Sequence, residues 1–469
     1  FPLGGRVFIE GGPPLGSVYY TPGSSNTGIP NYSDSTLFSV NFDGNRDGLA
    51  DFSFFDYTTN GTRPDRYADL TGEAEQMSAM LMADYDIGIL GDAKAYTEVM
   101  YVTQDYEQRN APGQIFPSVA ATNPFNPCNP DGINGVDCGA AFTNAILTPG
   151  NGYRDDFIAY YGVPPEFFGS IVTTGPTGAV GVQPITTIYG DRDNVEVTLS
   201  QLRFVAGLEG TLPISFGDLS DWTYDASIVH SKSEGESHRL GVREDRLDAS
   251  LNTSMIDPST GNVVCGVDTT GDGVPDGALA DGTPCVPVNM FSASLLGAPI
   301  GQLSSVAERN YLFGDRSFDT TYEQTMISAY ATGSLFSLPA GEVQAVLGTE
   351  WRRDKIDSQP SEIASEGLLW GFFKDQGASG QKDIFEIYGE LEVPVLKGEF
   401  LAEDLSFNVS GRYTDEEFAG TASTYSAKLS YRPTDFLQFR GTIGTSFRAP
   451  NVREQFLGGL SGFTTLADP

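Results

Sequence analysis

The stretch "LSFNVSGRY", Leu405 to Tyr413, alternates apolar and polar side chains without a break. In a β-strand its odd-numbered residues would share one face and its even-numbered residues would share the other. A period of two therefore predicts a strand with one apolar and one polar face. Such a strand suits both a soluble β-sandwich, which buries the apolar face, and a membrane barrel, which turns it toward lipid.

The same alternation recurs along the chain from about Met77 onward. It is clear in "IFEIYGELEV", "YSAKLSY" and "LQFRGTIGTSF". We predict about ten strands, near residues 77–87, 93–106, 193–209, 221–234, 321–337, 342–355, 384–395, 404–415, 421–432 and 436–448.

The connections between these strands alternate in size. Short ones include "IGILGDA", "SLPAGE" and "RPTD", and long ones cover roughly residues 107–192, 235–320 and 356–383, with a compact exception at "DEEFAG". Short turns at one rim and long loops at the other are typical of an outer-membrane barrel. Connections of this length are rare in ordinary globular domains, so we expect the long loops to carry the binding surface.

The composition excludes several other classes of protein. Acidic residues outnumber basic ones, 62 against 27, and the net charge of −35 would repel phosphates, so we expect no nucleic-acid partner. The chain has no run of about 18 apolar residues of the kind that a membrane helix needs, whereas a barrel strand needs only about 9–11 residues. With 55 glycines and 12% aromatic residues, the composition favours β-structure.

Four cysteines fall into two close pairs, Cys128 with Cys138 and Cys265 with Cys285, each in a segment rich in Pro, Gly, Asn and Asp. No CxxC spacing indicates zinc, so we predict local disulfides formed in an oxidising compartment, although four cysteines allow three connectivities.

Two segments, "DGNRDGLAD" and "DTTGDGVPD", place oxygen-bearing residues at positions 1, 3, 5 and 9, with glycine (Gly48, Gly273) at position 6. Oxygen ligands with this spacing, together with the carbonyl at position 7, suit Ca²⁺. Neither segment has the glutamate at position 12 or the helical flanks of an EF-hand, and a turn that binds no metal is the alternative. The predicted ligands are Asp43, Asn45, Asp47, Leu49 and Asp51 in the first loop, and Asp268, Thr270, Asp272, Val274 and Asp276 in the second.

Residues for nucleophilic catalysis are scarce. His230 and His238 are the only histidines, and the sequence contains no GxSxG or HExxH motif. A catalytic triad needs a serine, a base and an orienting acid in a defined arrangement, so we interpret both histidines as ordinary strand or loop residues and expect no enzyme.

The stretch "GTSFRAPNVREQF", Gly444 to Phe456, follows the last predicted strand. Pro450 would end the strand because it lacks an N–H donor, while Arg448 and Arg453 can pair with loop carboxylates. The stretch resembles the signature of TonB-dependent receptors, which are outer-membrane transporters. The matching residues are Ser446, Phe447, Arg448, Ala449, Pro450, Asn451, Arg453, Glu454 and Phe456.

Three more segments carry the same resemblance: "EVQAVLGTEWRRDKID", "CVPVNMF" and "PDRYADLTGEAEQMSAMLMADYDIG". Together the matches span most of residues 60–460. The resemblance implies an all-β, antiparallel transmembrane barrel with long extracellular loops, of which this chain would supply about ten or more of the family's 22 strands.

The chain also departs from the family pattern, because no N-terminal plug precedes its strands and no aromatic-terminated final strand follows them. The start, "FPLGGRVFIEGG", shows no signal peptide. We therefore expect an internal fragment covering the first half or so of a barrel. Residues 1–76 would hold the first barrel strand or strands and an outer loop, residues 77–448 the barrel strands with their long loops, and residues 449–469 the start of a further outer loop.

The resemblance implies a receptor in the outer membrane of a Gram-negative bacterium. It would contact outer-membrane lipid, bind an unknown nutrient in its outer loops and import it with energy from TonB, which acts through a plug not present in this chain. An alternative is a calcium-dependent extracellular binding or adhesion module built of propeller blades, which predicts calcium loops at a fixed period. A surface hydrolase that uses His230 is a third hypothesis.

Overall fold

The computed structural model describes residues 5–10, 17–23, 27–33, 68–150, 154, 177–214, 222–297, 301–459 and 461–462. Its strands, in chain order, are β1 (Arg6–Ile9), β2 (Ser17–Tyr20), β3 (Tyr32–Ser33), β4 (Glu73–Asp86), β5 (Lys94–Arg109), β6 (Gln114–Ile115), β7 (Val182–Thr187), β8 (Asn194–Thr211), β9 (Thr223–Val242), β10 (Met255–Ile256), β11 (Val263–Val264), β12 (Phe313–Leu338), β13 (Gly341–Pro360), β14 (Ala378–Glu399), β15 (Ala402–Glu416), β16 (Gly420–Thr434) and β17 (Leu437–Gly444).

The helices are short. In chain order we label those that the structure describes α1 (Cys138–Leu147), α2 (Glu244–Thr253), α3 (Ala293–Leu296), α4 (Val306–Leu312), α5 (Glu362–Glu366) and α6 (Val452–Gln455). No helix within the described ranges has the length and apolar character needed to cross a membrane.

Ten long strands form one antiparallel sheet in the order β17-β16-β15-β14-β13-β12-β9-β8-β5-β4. Each predicted strand corresponds to one strand of this sheet, so the predicted antiparallel barrel wall is confirmed. The sheet is open, because β4 and β17 are its two edges and do not pair with each other. The described strands therefore form one continuous wall and not a set of radial blades.

Several strands extend beyond their predicted bounds. β12 begins at Phe313 instead of near residue 321, and β14 runs from Ala378 to Glu399 instead of from about 384 to 395. The alternation is broken in β14 by Pro394, where the register with β15 shifts between Pro394 and Leu396. Proline has no N–H to donate to the ladder and is tolerated at such a bulge.

The register assigns opposite characters to the two faces of the wall. One rung across β14 to β17 joins Leu391, Val409, Ala427 and Ile443, which are all apolar. The adjacent rung joins Glu390, Ser410, Ser426 and Gly444 on the other face. Ile443 is 65% exposed, as expected for a side chain that lies against lipid instead of in a protein core.

The two ends of the wall differ as the connection lengths predict. At one end the strands are joined by short connections, which include 339–340 between β12 and β13 and 435–436 between β16 and β17. At the other end lie 110–193, 243–312 and 361–377, together with the compact 417–419. We call these the turn end and the loop end of the wall.

The two longest connections fold together with the chain's first described residues into a separate layer, which we call the cap: the described residues of 5–33, 110–193 and 243–312. Its five-stranded sheet has the order β3-β2-β1-β7-β6. Ile9, Ile115, Phe142, Leu247 and Leu295 are all at most 1% exposed and belong to one hydrophobic cluster. Of the described strands in residues 1–76, β1, β2 and β3 thus belong to the cap. The wall takes only the beginning of β4, which starts at Glu73.

This cluster is the largest buried core of the described chain and supplies the cap with its own hydrophobic stabilisation. Val242, Leu312 and the half-buried Trp370 belong to its base, where the cap meets the ends of β9 and β12 and the 361–377 loop. The loops that composition alone would assign to irregular surface are therefore packed against one another and against the wall.

We predict that a charge on the apolar face destabilises the wall. Leu391→Arg should lower the free energy of unfolding in phospholipid vesicles by about 2–4 kcal/mol, because arginine is costly at the lipid face of a barrel. The matched control is Ser410→Arg, one rung away on the polar face beside Glu390, which should change stability by less than about 1 kcal/mol. Equal losses from both substitutions, measured by urea titration, would contradict the assignment of the two faces.

Candidate functional site: a lumen pocket beside a signature helix

The signature stretch leaves the wall at β17 and folds back as a short helix. Thr445 still pairs with β16, since its N–H donates to the carbonyl of Tyr425 at 2.9 Å. Pro450 follows, and α6 then begins under a capping box: the Asn451 side chain accepts from the Glu454 N–H at 2.8 Å, and the Glu454 carboxylate accepts from the Asn451 N–H at 2.8 Å.

The two signature arginines form ion pairs with different partners. Arg448 lies 2.7 Å from Glu454, so this pair orders the helix that follows Pro450. The Asn451 N–H, and after it the Arg448 guanidinium, lower the pKa of Glu454. Arg453 reaches Asp375 in the 361–377 loop at 3.4 Å. The first arginine thus acts within the signature, while the second ties it to a loop.

Apolar contacts hold α6 against the polar face of the wall. Val452 is 5% exposed and packs with Ile356 and Ala378. The Phe456 ring lies edge-on to Phe418 with centroids 5.2 Å apart. It also covers Gly380, where any Cβ would clash with the ring. The signature is therefore packed against β13 and β14 and does not extend freely from the end of β17.

A buried ion pair, which we call the Lys382 latch, fixes the middle of the signature. Lys382 on β14 and Glu416 at the end of β15 are 4% and 1% exposed, with Nζ 3.3 Å from Oε1. The Lys382 ammonium also donates to the carbonyl of Pro450. Glu416 in turn accepts from the backbone N–H groups of Phe418 and Ala419. The latch therefore connects two strands, the compact outer turn and the signature.

The signature forms one wall of a cavity of about 600 Å³ on the polar face, which we call the lumen pocket. Phe447, Ala449 and Pro450 line it from the signature side. The opposite side is polar: Tyr322 and Gln324 donate to Asp354 at 3.1 and 2.9 Å, and Arg352 lies 3.2 Å from the same carboxylate. A pocket of this size, with several polar groups directed into it, can hold a small ligand.

The cap carries both predicted disulfides, Cys128–Cys138 and Cys265–Cys285. All four cysteines are at most 9% exposed and belong to the cap core. Four cysteines allow three connectivities, and the structure has the one in which both pairs are local in the sequence. Each bridge closes a short loop and so restricts the unfolded ensemble of the cap.

The second calcium-like loop lies inside the Cys265–Cys285 bridge. Asp268 accepts from the N–H groups of Gly271 at 2.6 Å and Gly273 at 2.8 Å, and Asp276 accepts from the N–H of Thr269 at 2.7 Å. The N–H groups of Gly273 and Gly271 lower the pKa of Asp268, and the hydroxyl and N–H of Thr269 lower the pKa of Asp276. Gly273 has φ = +84°, which is a left-handed conformation that glycine adopts without strain.

In this conformation the loop does not gather a metal-ligand shell. Within the described ranges, no three His, Cys, Asp or Glu side chains converge on a point where a metal ion could bind. The carboxylates of Asp268 and Asp276 are already satisfied by their own loop, so calcium would have to replace those hydrogen bonds. The first calcium-like loop, Asp43 to Asp51, lies outside the described residues.

The two histidines occupy strand positions. His230 is paired with Thr325 through Nδ1 at 2.9 Å, and His238 with Asp315 through Nδ1 at 2.8 Å. No serine hydroxyl in the described part of the chain hydrogen-bonds to either ring. The arrangement that a serine hydrolase needs is therefore not present at these positions.

Sequence reasoning missed most residues of the lumen pocket outside the signature. Lys382 and Asp354 stand on the polar faces of predicted or adjacent strands, but nothing in their local sequence distinguishes them from other polar residues. Glu416 falls in the compact "DEEFAG" turn. All three residues lie near the loop end of neighbouring strands. This shared position could have indicated that they meet, but only if the pairing register of the strands had been known.

We predict that the latch holds the signature in place. Lys382→Met should cost about 3–5 kcal/mol, because it leaves the Glu416 charge buried without its partner. The double variant K382M/E416Q should recover part of that loss. Unfolding in detergent and protease cleavage within residues 446–456 would be measured, with the exposed, polar-face Lys428→Met as control. Unchanged cleavage of the signature in K382M would show that the latch does not position it.

Comparison with known proteins agrees with this architecture. The family described as "TonB dependent receptor-like, beta-barrel" matches residues 139–469, which is more than half of the chain. Among curated proteins, none matches the chain. The matched region contains eight of the ten wall strands, all except β4 and β5, as well as the whole signature. The chain therefore belongs to the TonB-dependent receptor-like β-barrel family, a family of outer-membrane transporters.

Proposed function

We propose that this chain forms the ligand-binding wall and outer loops of a receptor that imports a scarce nutrient across the outer membrane of a Gram-negative bacterium. The observation that carries the proposal is the lumen pocket, a polar cavity on the inner face of an apolar-backed wall, beside a packed cap. Candidate nutrients include a siderophore, an oligosaccharide or a peptide.

The proposed mechanism is binding followed by conformational gating, without covalent chemistry. Import would be energised by TonB, acting through a plug domain, as the family implies. A packed, disulfide-stapled cap suits the binding step, because preorganised loops lose less conformational entropy when a ligand binds. The signature helix, fixed by the Lys382 latch, borders the pocket at the place where a ligand leaving the cap would enter the lumen.

A strain lacking the gene for this receptor should grow poorly when its nutrient is limiting. We would compare growth on ferric citrate, on a maltooligosaccharide and on a dipeptide as limiting sources, with and without the whole receptor restored. Restored growth on one source should be lost again when TonB is deleted, because a folded barrel in the outer membrane has no energy source of its own. Growth independent of the receptor on all three sources would contradict import, and growth independent of TonB would contradict energised import.

We also propose that Ca²⁺ binds the cap at the loop Asp268 to Asp276. Support comes from the ligand spacing and from the left-handed Gly273, while the hydrogen bonds within the loop argue that binding must rearrange its carboxylates. The bound ion would stiffen the segment between Cys265 and Cys285.

Isothermal calorimetry with CaCl₂ at pH 7, which is far above the lowered pKa values of Asp268 and Asp276, should give a binding heat. The double variant Asp268→Asn/Asp272→Asn should abolish it, since neutral amides are poorer ligands for a hard cation. Asp257→Asn, in a neighbouring exposed turn of the cap, is the control and should leave the heat unchanged. If wild type gives no heat, or if the loop variant keeps it, this loop does not bind calcium.

A further inference from the structure

Four arginines line the polar face of the wall at its loop end, and we call them the arginine row: Arg192, Arg239, Arg316 and Arg453. Arg239 on β9 and Arg316 on β12 are direct register partners. Arg192 precedes β8, and its N–H donates to the carbonyl of Leu240 beside Arg239 at 2.8 Å. Arg453 belongs to α6 and lines the lumen pocket, so the row leads from the base of the cap to the pocket.

The row carries more positive charge than its neighbours neutralise. Arg192 pairs with the buried Asp191 at 2.8 Å. Asp375 alone serves two members, Arg316 at 3.9 Å and Arg453 at 3.4 Å. Within the part of the chain that the structure describes, Arg239 has no ion pair. Among the described residues, only Asp191 and Asp375 thus lie within ion-pair distance of the four guanidinium groups, in a chain whose acidic residues outnumber its basic ones by 62 to 27.

Stability alone does not explain this arrangement. Like charges directly opposite each other on adjacent strands are destabilising, and Arg239 and Arg316 stand in that relation. A local charge excess that works against folding is expected at a functional site.

Aromatic contacts fix the two central guanidinium groups. Arg316 lies 4.6 Å from the ring centroid of Phe318 and 4.7 Å from that of Phe372, and Arg239 lies 5.7 Å from Phe372. Stacking occupies the guanidinium faces and leaves the N–H edges for hydrogen bonds. The Nε of Arg316 is buried and has no hydrogen-bond partner. Such rigid, unsatisfied edges match the planar oxygen pairs of carboxylates and the oxygens of phosphates.

We propose that the arginine row binds an anion that presents two or more carboxylate or phosphate groups, and that the imported nutrient carries these groups. The inference rests on the proposed function, because it treats the row as the path from the cap to the lumen pocket. It favours an anionic nutrient over an uncharged oligosaccharide. Arg239 and Arg316 would make the first bidentate contacts, and Arg453 would receive the ligand at the pocket.

The test uses the whole receptor purified in detergent and two anionic probes, citrate for carboxylates and pyrophosphate for phosphates, with uncharged maltotriose for comparison. Binding would be followed by calorimetry at low and high salt. We expect at least one anion to bind with Kd below about 1 mM, more weakly at high salt because screening reduces the attraction, and maltotriose not to bind in that range. The anion that binds would distinguish carboxylate from phosphate recognition.

Arg239→Gln/Arg316→Gln should weaken anion binding by at least about 10-fold, since charge-assisted hydrogen bonds are lost. The single variant Arg239→Gln breaks no ion pair with described residues, so it keeps the test valid if the double variant fails to fold. It should weaken binding by at least about 3-fold. Arg440→Gln, on the exposed polar face of β17 near the turn end, is the matched control and should change Kd by less than about 2-fold.

The proposal is overturned if neither anion binds below about 1 mM, if maltotriose binds as tightly as they do, or if Arg440→Gln weakens binding as much as the row variants. Uptake measured in cells separates this inference from the proposed function. A row variant that imports as well as wild type contradicts the anion site and leaves import standing, whereas anion binding without any receptor-dependent uptake contradicts import alone.

Discussion

Lengthwise pairing of ten antiparallel strands is the constraint on which the rest of this structure depends. Each strand satisfies its backbone N–H and C=O groups with its neighbours, and the pleat then sends alternate side chains to opposite faces. With one face apolar and the other polar, the sheet can stand between lipid and an aqueous lumen. A shift of one residue in the pairing of two strands would move the apolar side chains of one strand to the polar face. The separation of the two faces therefore depends on the register.

The loop end of the wall shows how this constraint positions a site. Because β14 and β15 pair in register up to Ile384 and Glu416, Lys382 and Glu416 meet although they are far apart in the sequence. Their buried ion pair is costly to desolvate and therefore needs several further partners. It obtains them from the Pro450 carbonyl and from the outer turn at Phe418 and Ala419. The signature helix is in this way attached to the wall and borders the lumen pocket.

The cap buries its apolar residues in a different way from the wall. Long connections above a barrel rim cannot use lipid to bury their apolar residues, so they must bury them against one another. Here the segments 110–193 and 243–312, with the first described strands, form one hydrophobic core stapled by two disulfides. At its base the cap meets the arginine row, where aromatic rings contact Arg239 and Arg316. The cap, the row and the pocket are therefore contiguous.

The amino-acid sequence by itself determined the strands, the face that each residue would take and the two classes of connection, and it favoured local pairing of the cysteines. These properties depend on neighbours within a strand or within a short loop, and an alternation such as that of "LSFNVSGRY" records them directly. The signature also indicated the family, because its residues are close together in the chain. Only the tertiary structure decided that the long loops form a packed cap, that Lys382 meets Glu416 and Pro450, and that Arg239 faces Arg316. Those contacts depend on strand register and on packing between distant segments, which no local pattern records.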